Sequence, residues 1–383
     1  MRFAVRKALR ASLLAFFVSG IAAASASAST SPVVGHVFVN DNTATTNTVA
    51  AFDRHADGTL TPVPGSPFQA GGAGTGADIA SQGALQQALD GRYLLAVDAG
   101  SNQISVLRVG HDGSLSPVPG GVVSSGGSNP VSIAIHGHLV YVANASSVGP
   151  NYTGFRLGSD GQLHPIAGSS VTLPYGSQPG DVLFNGDGTV LAGTRVSTGL
   201  IDSFRVEDSG RLDAAPGSPF AAQGAGPFGS EFRPTRSDQL FVSNAHGGAN
   251  NGTISAFSVK EDGALSSIGS SPFADKQTAP CWVEITHDGN ILYTVNTASS
   301  SISTYAISPG GSLTLIGSTV FNDPTGLAPE DARLSPDDSS LWVVDSGLHA
   351  ISGFAVSGTG LHEFGSSPTP VPAGAVPAGI VVN

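Results

Sequence analysis

Cysteine is almost missing from this chain: Cys281 is the only one in 383 residues. No disulfide can form within it, so burial and backbone pairing must hold the fold together. No histidine lies near that cysteine in sequence and no cysteine-enzyme signature surrounds it, so it reads as a small buried apolar residue. Charge is scarce too, at 11% of residues, and beyond Lys7 the only lysines are Lys260 and Lys276. Phosphate backbones and anionic lipid surfaces require clustered Lys and Arg, so nucleic-acid and membrane partners are not expected. A helical period occurs nowhere, and no stretch beyond the first residues is apolar enough to span a bilayer. Glycine (51) and proline (25) are plentiful, the composition of a protein with many turns.

The first residues carry a secretory pattern. Arg2, Arg6, Lys7 and Arg10 precede an apolar run from Ala11 to Ala24, and Ala26-Ser27-Ala28 has the small-residue form of a cleavage site. The run is shorter than the roughly 20 residues of a membrane-spanning helix. The expectation is a signal peptide over 1–28 and an exported mature chain over 29–383, periplasmic or extracellular and monomeric. Cleavage leaves 12 basic against 28 acidic residues, a formal charge of −16.

A repeat of about 50 residues runs through the rest. A Gly-x-Leu turn recurs at Gly58, Gly113, Gly161, Gly210, Gly263 and Gly311, and Gly360-Leu361 keeps the same beat, with spacings of 55, 48, 49, 53, 48 and 49. Asp precedes the glycine at Asp57, Asp112, Asp160 and Asp262, a hairpin signal because tight hairpin turns need positive φ. A second marker is an apolar run ending in a polar residue, such as Phe38-Val39-Asn40, Val142-Ala143-Asn144 and Val343-Val344-Asp345. An alternating strand follows it, as in Ile104-Ser105-Val106-Leu107. Pro-Gly-Ser-Pro-Phe at 64–68 and 216–220 suits an outer edge strand. Four short strands per repeat, seven repeats and no helix predict an all-β, seven-bladed β-propeller of four-stranded blades. The chain resumes near His36 as a second strand, and Pro377 to Val382 looks like a lone inner strand. The ring is therefore expected to close by the C-terminal strand joining the first blade.

The stretches Asp90-Gly91-Arg92-Tyr93-Leu94-Leu95-Ala96-Val97, Asp112-Gly113-Ser114-Leu115 and Asp288-Gly289-Asn290-Ile291-Leu292-Tyr293-Thr294-Val295-Asn296 resemble the lactonase-type seven-bladed propellers (6-phosphogluconolactonase and carboxymuconate cyclase-like) and the related YVTN repeats. The resemblance spans essentially the whole mature chain. It implies hydrolysis or isomerisation of a small lactone by His, Arg and Glu at the starts of inner strands and the ends of second strands. The family's Gly-Pro-Arg-His stretch reads Gly226-Pro227-Phe228-Gly229 here, its inner-strand His falls in Pro179-Gly180-Asp181, and Asn244-Ala245 stands where Glu is usual. Those departures leave a second reading open, a non-catalytic exported propeller that binds a ligand or a surface.

Candidate site residues follow from aligning the prolines that open the inner strands: Pro130, Pro179, Pro227, Pro280, Pro329 and Pro377. Four residues on, consecutive blades carry Glu231, Glu284 and Arg333, a carboxylate base with an arginine to hold an anion. Two residues on stand Asp181, Trp282 and Asp331, and the second-strand ends are expected to bring Arg195, Asn244 and His246 to the same pocket. The alternative is a structural ion-pair network between blades. No acidic calcium-loop motif accompanies these groups, so no metal is assigned. Gly224-Ala225-Gly226-Pro227-Phe228-Gly229 opens no helix, so no dinucleotide and no other cofactor is expected. The ligand the pocket suits is a small molecule.

Overall fold

A computed structural model describes residues 31–383. The expected signal sequence and its cleavage site lie outside the described residues. Seven antiparallel sheets, each with four successive positions from the centre outward, follow one another around a ring. The inner strands are Ile380–Val382, Leu85–Ala88, Pro130–His136, Pro179–Phe184, Pro227–Arg233, Pro280–Ile285 and Pro329–Leu334, here blades 1 to 7 in that order. Blade 1 is shared by the two ends of the chain. Val37, Phe38 and Val39 pair with Val382, Val381 and Ile380.

The repeat markers have local physical roles. The Gly-x-Leu turns join the third and fourth strands. Six of those seven glycines have φ between +74° and +87°, while in blade 7 the positive φ falls on Gly358. The preceding aspartates accept the amide two residues on, as Asp112 Oδ1 does from Ser114 (3.1 Å) and Asp262 Oδ1 from Ala264 (3.0 Å). Asp and Gly thus share the turn, one capping it and one supplying the left-handed backbone. The Pro-Gly-Ser-Pro-Phe motif interrupts the outermost position. In blade 1 it separates Leu60–Pro62 from Phe68–Gln69, and both pair with Thr48–His55.

Second and third strands are buried on both faces, because each blade packs against two neighbours. Tyr93–Asp98 is buried throughout. Blade 2 meets blade 3 through Leu95, Val97, Ile104, Val106, Ile133, Val142 and Phe155. The serines that alternate with apolar residues along the third strands are buried as well. They brace the polar residue that ends the second strand. Ser105 Oγ bonds the Asp98 carboxylate (2.5 Å), Asn244 Nδ2 reaches Ser255 Oγ (2.9 Å) and Asn296 Nδ2 reaches Ser303 Oγ (2.9 Å). Blade 4 replaces this pair with an ion pair, Arg195 to Asp202.

Candidate active site in the central channel

Register decides what the channel brings together. Each inner strand runs antiparallel to the second strand of its blade, so the opening proline lies beside the end of that strand: Pro179 opposite Arg195, Pro227 opposite Asn244. Glu231, Glu284 and Arg333 instead lie opposite Phe241, Tyr293 and Trp342, further along the inner strands. Four residues of strand separate the prolines from the charged trio by about 13 Å. The trio therefore sits toward the opposite end of the channel from the second-strand ends.

There it lines a cavity of about 290 Å³ together with Asp181, Gln82, Gln86 and Ser230. Bulges at Pro179/Asp181 and Pro227/Ser230 re-aim those side chains. Arg333 Nη1 donates to Glu284 Oε2 (2.9 Å), and Glu284 Oε1 accepts the Leu334 amide (2.9 Å). Asp181 accepts from Ser230 through its amide (2.9 Å) and hydroxyl (2.7 Å), and from Ser132 Oγ (3.2 Å). Glu231 takes no hydrogen bond from any described residue; it feels its neighbours only through charge.

The electrostatics separate these acids. Burial, with Glu284 beside it, pushes Glu231 well above the usual carboxylate range. Burial pushes Asp181 up to about 7 against its hydrogen bonds from Ser230 and Ser132. Burial raises Glu284, and the Arg333 guanidinium pulls it back. Burial would lower Arg333, but Asp331, Glu284 and Glu231 outweigh it and keep the guanidinium charged. The cavity thus holds one acid whose burial favours its neutral form, with no hydrogen bond from any described residue, and one carboxyl that titrates near neutrality.

Arg195, Asn244, His246 and Trp282 lie elsewhere, which corrects the pocket read from sequence. Arg195 is buried and chelated by Asp202, which also accepts the Tyr152 hydroxyl (3.1 Å). Asn244 is tied to Thr253 and Ser255 within its own blade. His246 is exposed in the loop after that strand. Trp282 is buried, its indole donating to Ser81 O (2.9 Å) and its ring meeting Phe228 edge-on at 5.3 Å. Asp331 is buried beside the cavity, where it accepts the Gly83 amide at 3.4 Å. The proline end of the channel is filled by apolar groups, with Phe228, Trp282, Val196, Ala245 and Cys281 in one cluster. Burial pushes the Cys281 thiol up to about 12, so it stays protonated. Among the described residues no three His, Cys, Asp or Glu side chains converge as a metal site.

Sequence reasoning missed Gln82 and Ser230. Blade 2 has no proline opening its inner strand, and residues 70–84 make a long connection where 125–129 or 222–226 suffice elsewhere. The signal was the 55-residue first spacing of the turn repeat. The stretch where the family resemblance expects Arg-His carries Phe228 in the apolar cluster, and at Gly229 any Cβ would lie 2.2 Å from Gln82 Oε1.

The chain matches the family model described as lactonase, seven-bladed beta-propeller, over residues 43–184 and 189–379. No curated protein matches it. Among solved structures it is similar to a protein from Bacteroides uniformis assigned as a 6-phosphogluconolactonase (21% identity, 91% of this chain and 99% of that chain covered, TM-score 0.72). A counterpart from Bacteroides fragilis with the same assignment gives 20%, 93%, 99% and 0.71. The periplasmic gluconolactonase of Pseudomonas aeruginosa gives 18%, 91%, 98% and 0.71. Identities this low establish likeness of fold alone. The match to the family model covers nearly all of the ring, and on that ground the chain belongs to the lactonase family of seven-bladed β-propellers.

Proposed function

We propose that this propeller is an exported enzyme that hydrolyses a small lactone in the carboxyl-lined cavity of its central channel. One observation carries the reading: Asp181 and Glu231 line one cavity in unlike surroundings, Asp181 hydrogen-bonded and pushed up to about 7, Glu231 raised well above the usual carboxylate range with no hydrogen bond from any described residue. Pairs of acids separated in this way perform general base and general acid steps. In the proposed reaction ionised Asp181 takes a proton from water as its oxygen bonds to the lactone carbonyl carbon. Glu231 gives its proton to the ring oxygen as the bond from that oxygen to the carbonyl carbon breaks. The product is an open-chain hydroxy acid. Arg333, clamped by Glu284, supplies the positive charge that favours the oxyanion intermediate.

The chemistry of the wall also bears on substrate charge. Four carboxyl groups, Asp181, Glu231, Glu284 and Asp331, surround one guanidinium, and that guanidinium is already ion-paired. An uncharged, hydroxyl-rich lactone fits this environment better than one carrying a phosphate. Export rests on the Arg/Lys–apolar–Ala-x-Ala pattern of residues 2–28. N-terminal sequencing of the protein recovered from the host's periplasm or medium tests it; a chain still beginning at Met1 contradicts it.

The proposed roles fix the pH profile. With an uncharged lactone, kcat/KM should rise with pH through about 7 as Asp181 ionises, then fall at higher pH as Glu231 loses its proton. Asp181→Asn should lower kcat/KM by roughly 100-fold or more and remove the lower limb. A flat profile, or an Asn variant as fast as the parent, overturns the assignment. The second reading, a propeller that binds without turning over, draws on the apolar packing of Phe228 where the family pattern has Arg. Saturable binding of a lactone with no acid release at any pH would favour it.

A further inference from the structure

The connection over residues 70–84 leaves the outer edge of blade 1 and enters the channel before it becomes the inner strand of blade 2. Three consecutive residues of it reach most of the ring. Ser81 Oγ donates to Val131 O of blade 3 (2.7 Å), Gln82 N to Gly180 O of blade 4 (3.1 Å) and Gly83 N to Asp331 of blade 7. The Gln82 carboxamide is fully used: Nε2 donates to Ser230 O of blade 5 and to Val283 O of blade 6 (both 3.1 Å), and Oε1 accepts the Val283 amide (3.0 Å). Gln82 is buried at 4% exposure. The backbone makes room for it at Gly229, where a Cβ would collide with Oε1. One face of this plug lines the acidic cavity. Its other side meets the apolar cluster through the Trp282 indole, which is bonded to Ser81 O.

We propose that Gln82 is a positioning and specificity-determining residue: a side-chain plug that makes the channel a blind pocket, entered only from the end that bears the turns between inner and second strands, and so limits the substrate to a single lactone ring. The inference rests on the reading of the acidic cavity as the reaction site. The cavity volume is about 290 Å³, at the small end of ligand pockets. A second sugar on the buried side of the ring has nowhere to extend while the carboxamide bridges blades 5 and 6. Gln82 touches no reacting atom in this scheme. It fixes the depth of the pocket and, through Ser230 O, the strand that bonds Asp181.

The test compares Gln82→Ala and Gln82→Met in the full mature chain, with two readouts. The first is exchange of the Val283 backbone amide, which requires no turnover. The second is the ratio of KM for a disaccharide-derived aldonolactone to KM for a monosaccharide aldonolactone. Alanine should lose Val283 protection by tenfold or more and bring the KM ratio down at least tenfold, with kcat for the small lactone changed much less. Methionine fills the same space without the hydrogen bonds, so it should lose the protection yet keep the size preference. Should the alanine variant fail to fold, methionine still decides whether the carboxamide holds the Val283 amide. Unchanged protection in both variants overturns the plug. Equal loss of size preference in both overturns the steric limit. If the parent enzyme turns over neither lactone, the lactone reading fails on that result, while amide exchange alone still judges the plug.

Discussion

Glu231 and Glu284 stand on neighbouring inner strands at equivalent positions, yet their surroundings give them different duties. Glu284 is engaged twice, by Arg333 and by the Leu334 amide, so its charge is part of the architecture. Glu284→Gln leaves the partly buried Arg333 guanidinium without its anion and should cost about 2–4 kcal/mol in urea unfolding. Glu231 has no such bonds, and its neutral form is mimicked by glutamine. The positions of both acids and of Arg333 were legible in sequence, because the proline that starts each inner strand fixes a common origin. What the alignment could not show is which end of the strand a given offset reaches. That depends on antiparallel register with the second strand, and it sends Arg195, Asn244 and His246 away from the cavity. Their polar character has a local cause, the brace to the third strand or, for His246, exposure in a loop.

Strands and connections carry the next layer. The alternation Ile-Ser-Val-Leu suggests one buried and one less buried face, but in a blade stacked on both sides the serine is buried too, and its partner is the residue closing the second strand. Ser105→Ala removes the hydroxyl from buried Asp98, which keeps Asn47 Nδ2 at 2.9 Å as a side-chain partner. The loss should be about 1–2 kcal/mol, measured by chemical unfolding. A cost below a few tenths of a kcal/mol would show that these braces are incidental. Turn chemistry was readable for the same reason that strands were: Asp-Gly solves a local geometric problem. The plug was not, because residues 77–83 owe their course to partners on five other blades, and nothing local in Ala-Asp-Ile-Ala-Ser-Gln-Gly marks that path.

At the scale of the whole molecule, a ring without disulfides depends on its closing strand. Asn40 N bonds Gly379 O (3.0 Å), Ala378 N bonds Asn40 O (3.0 Å), and Asn383 is held by His36 and Arg54. Deleting 377–383 should expose both edges of the break and lower the melting temperature by roughly 10 °C or more. Melting within a degree or two of the parent would contradict closure by this strand. Buried acids give the molecule a pH signature. Burial raises Asp41 and Asp181 from 3.8 to about 7, so the folded chain holds these protons more tightly than the unfolded one. Their stabilising effect is complete below about pH 4 and is lost as pH rises through 7. Calorimetry should find melting at pH 5 higher than at pH 8 by roughly 5 °C. Equal melting at the two values would mean that these carboxyls are ionised in the folded state throughout.

The proposed reaction makes Glu231 the proton donor of lactone hydrolysis in the acidic cavity. Its most direct test is acid release from an uncharged sugar lactone at constant pH by the mature chain and by Glu231→Gln, with both melting curves recorded. Steady release by the parent is expected, with a loss of roughly 100-fold or more in the variant and melting temperatures within a few degrees of each other. Equal rates from the two proteins would contradict it.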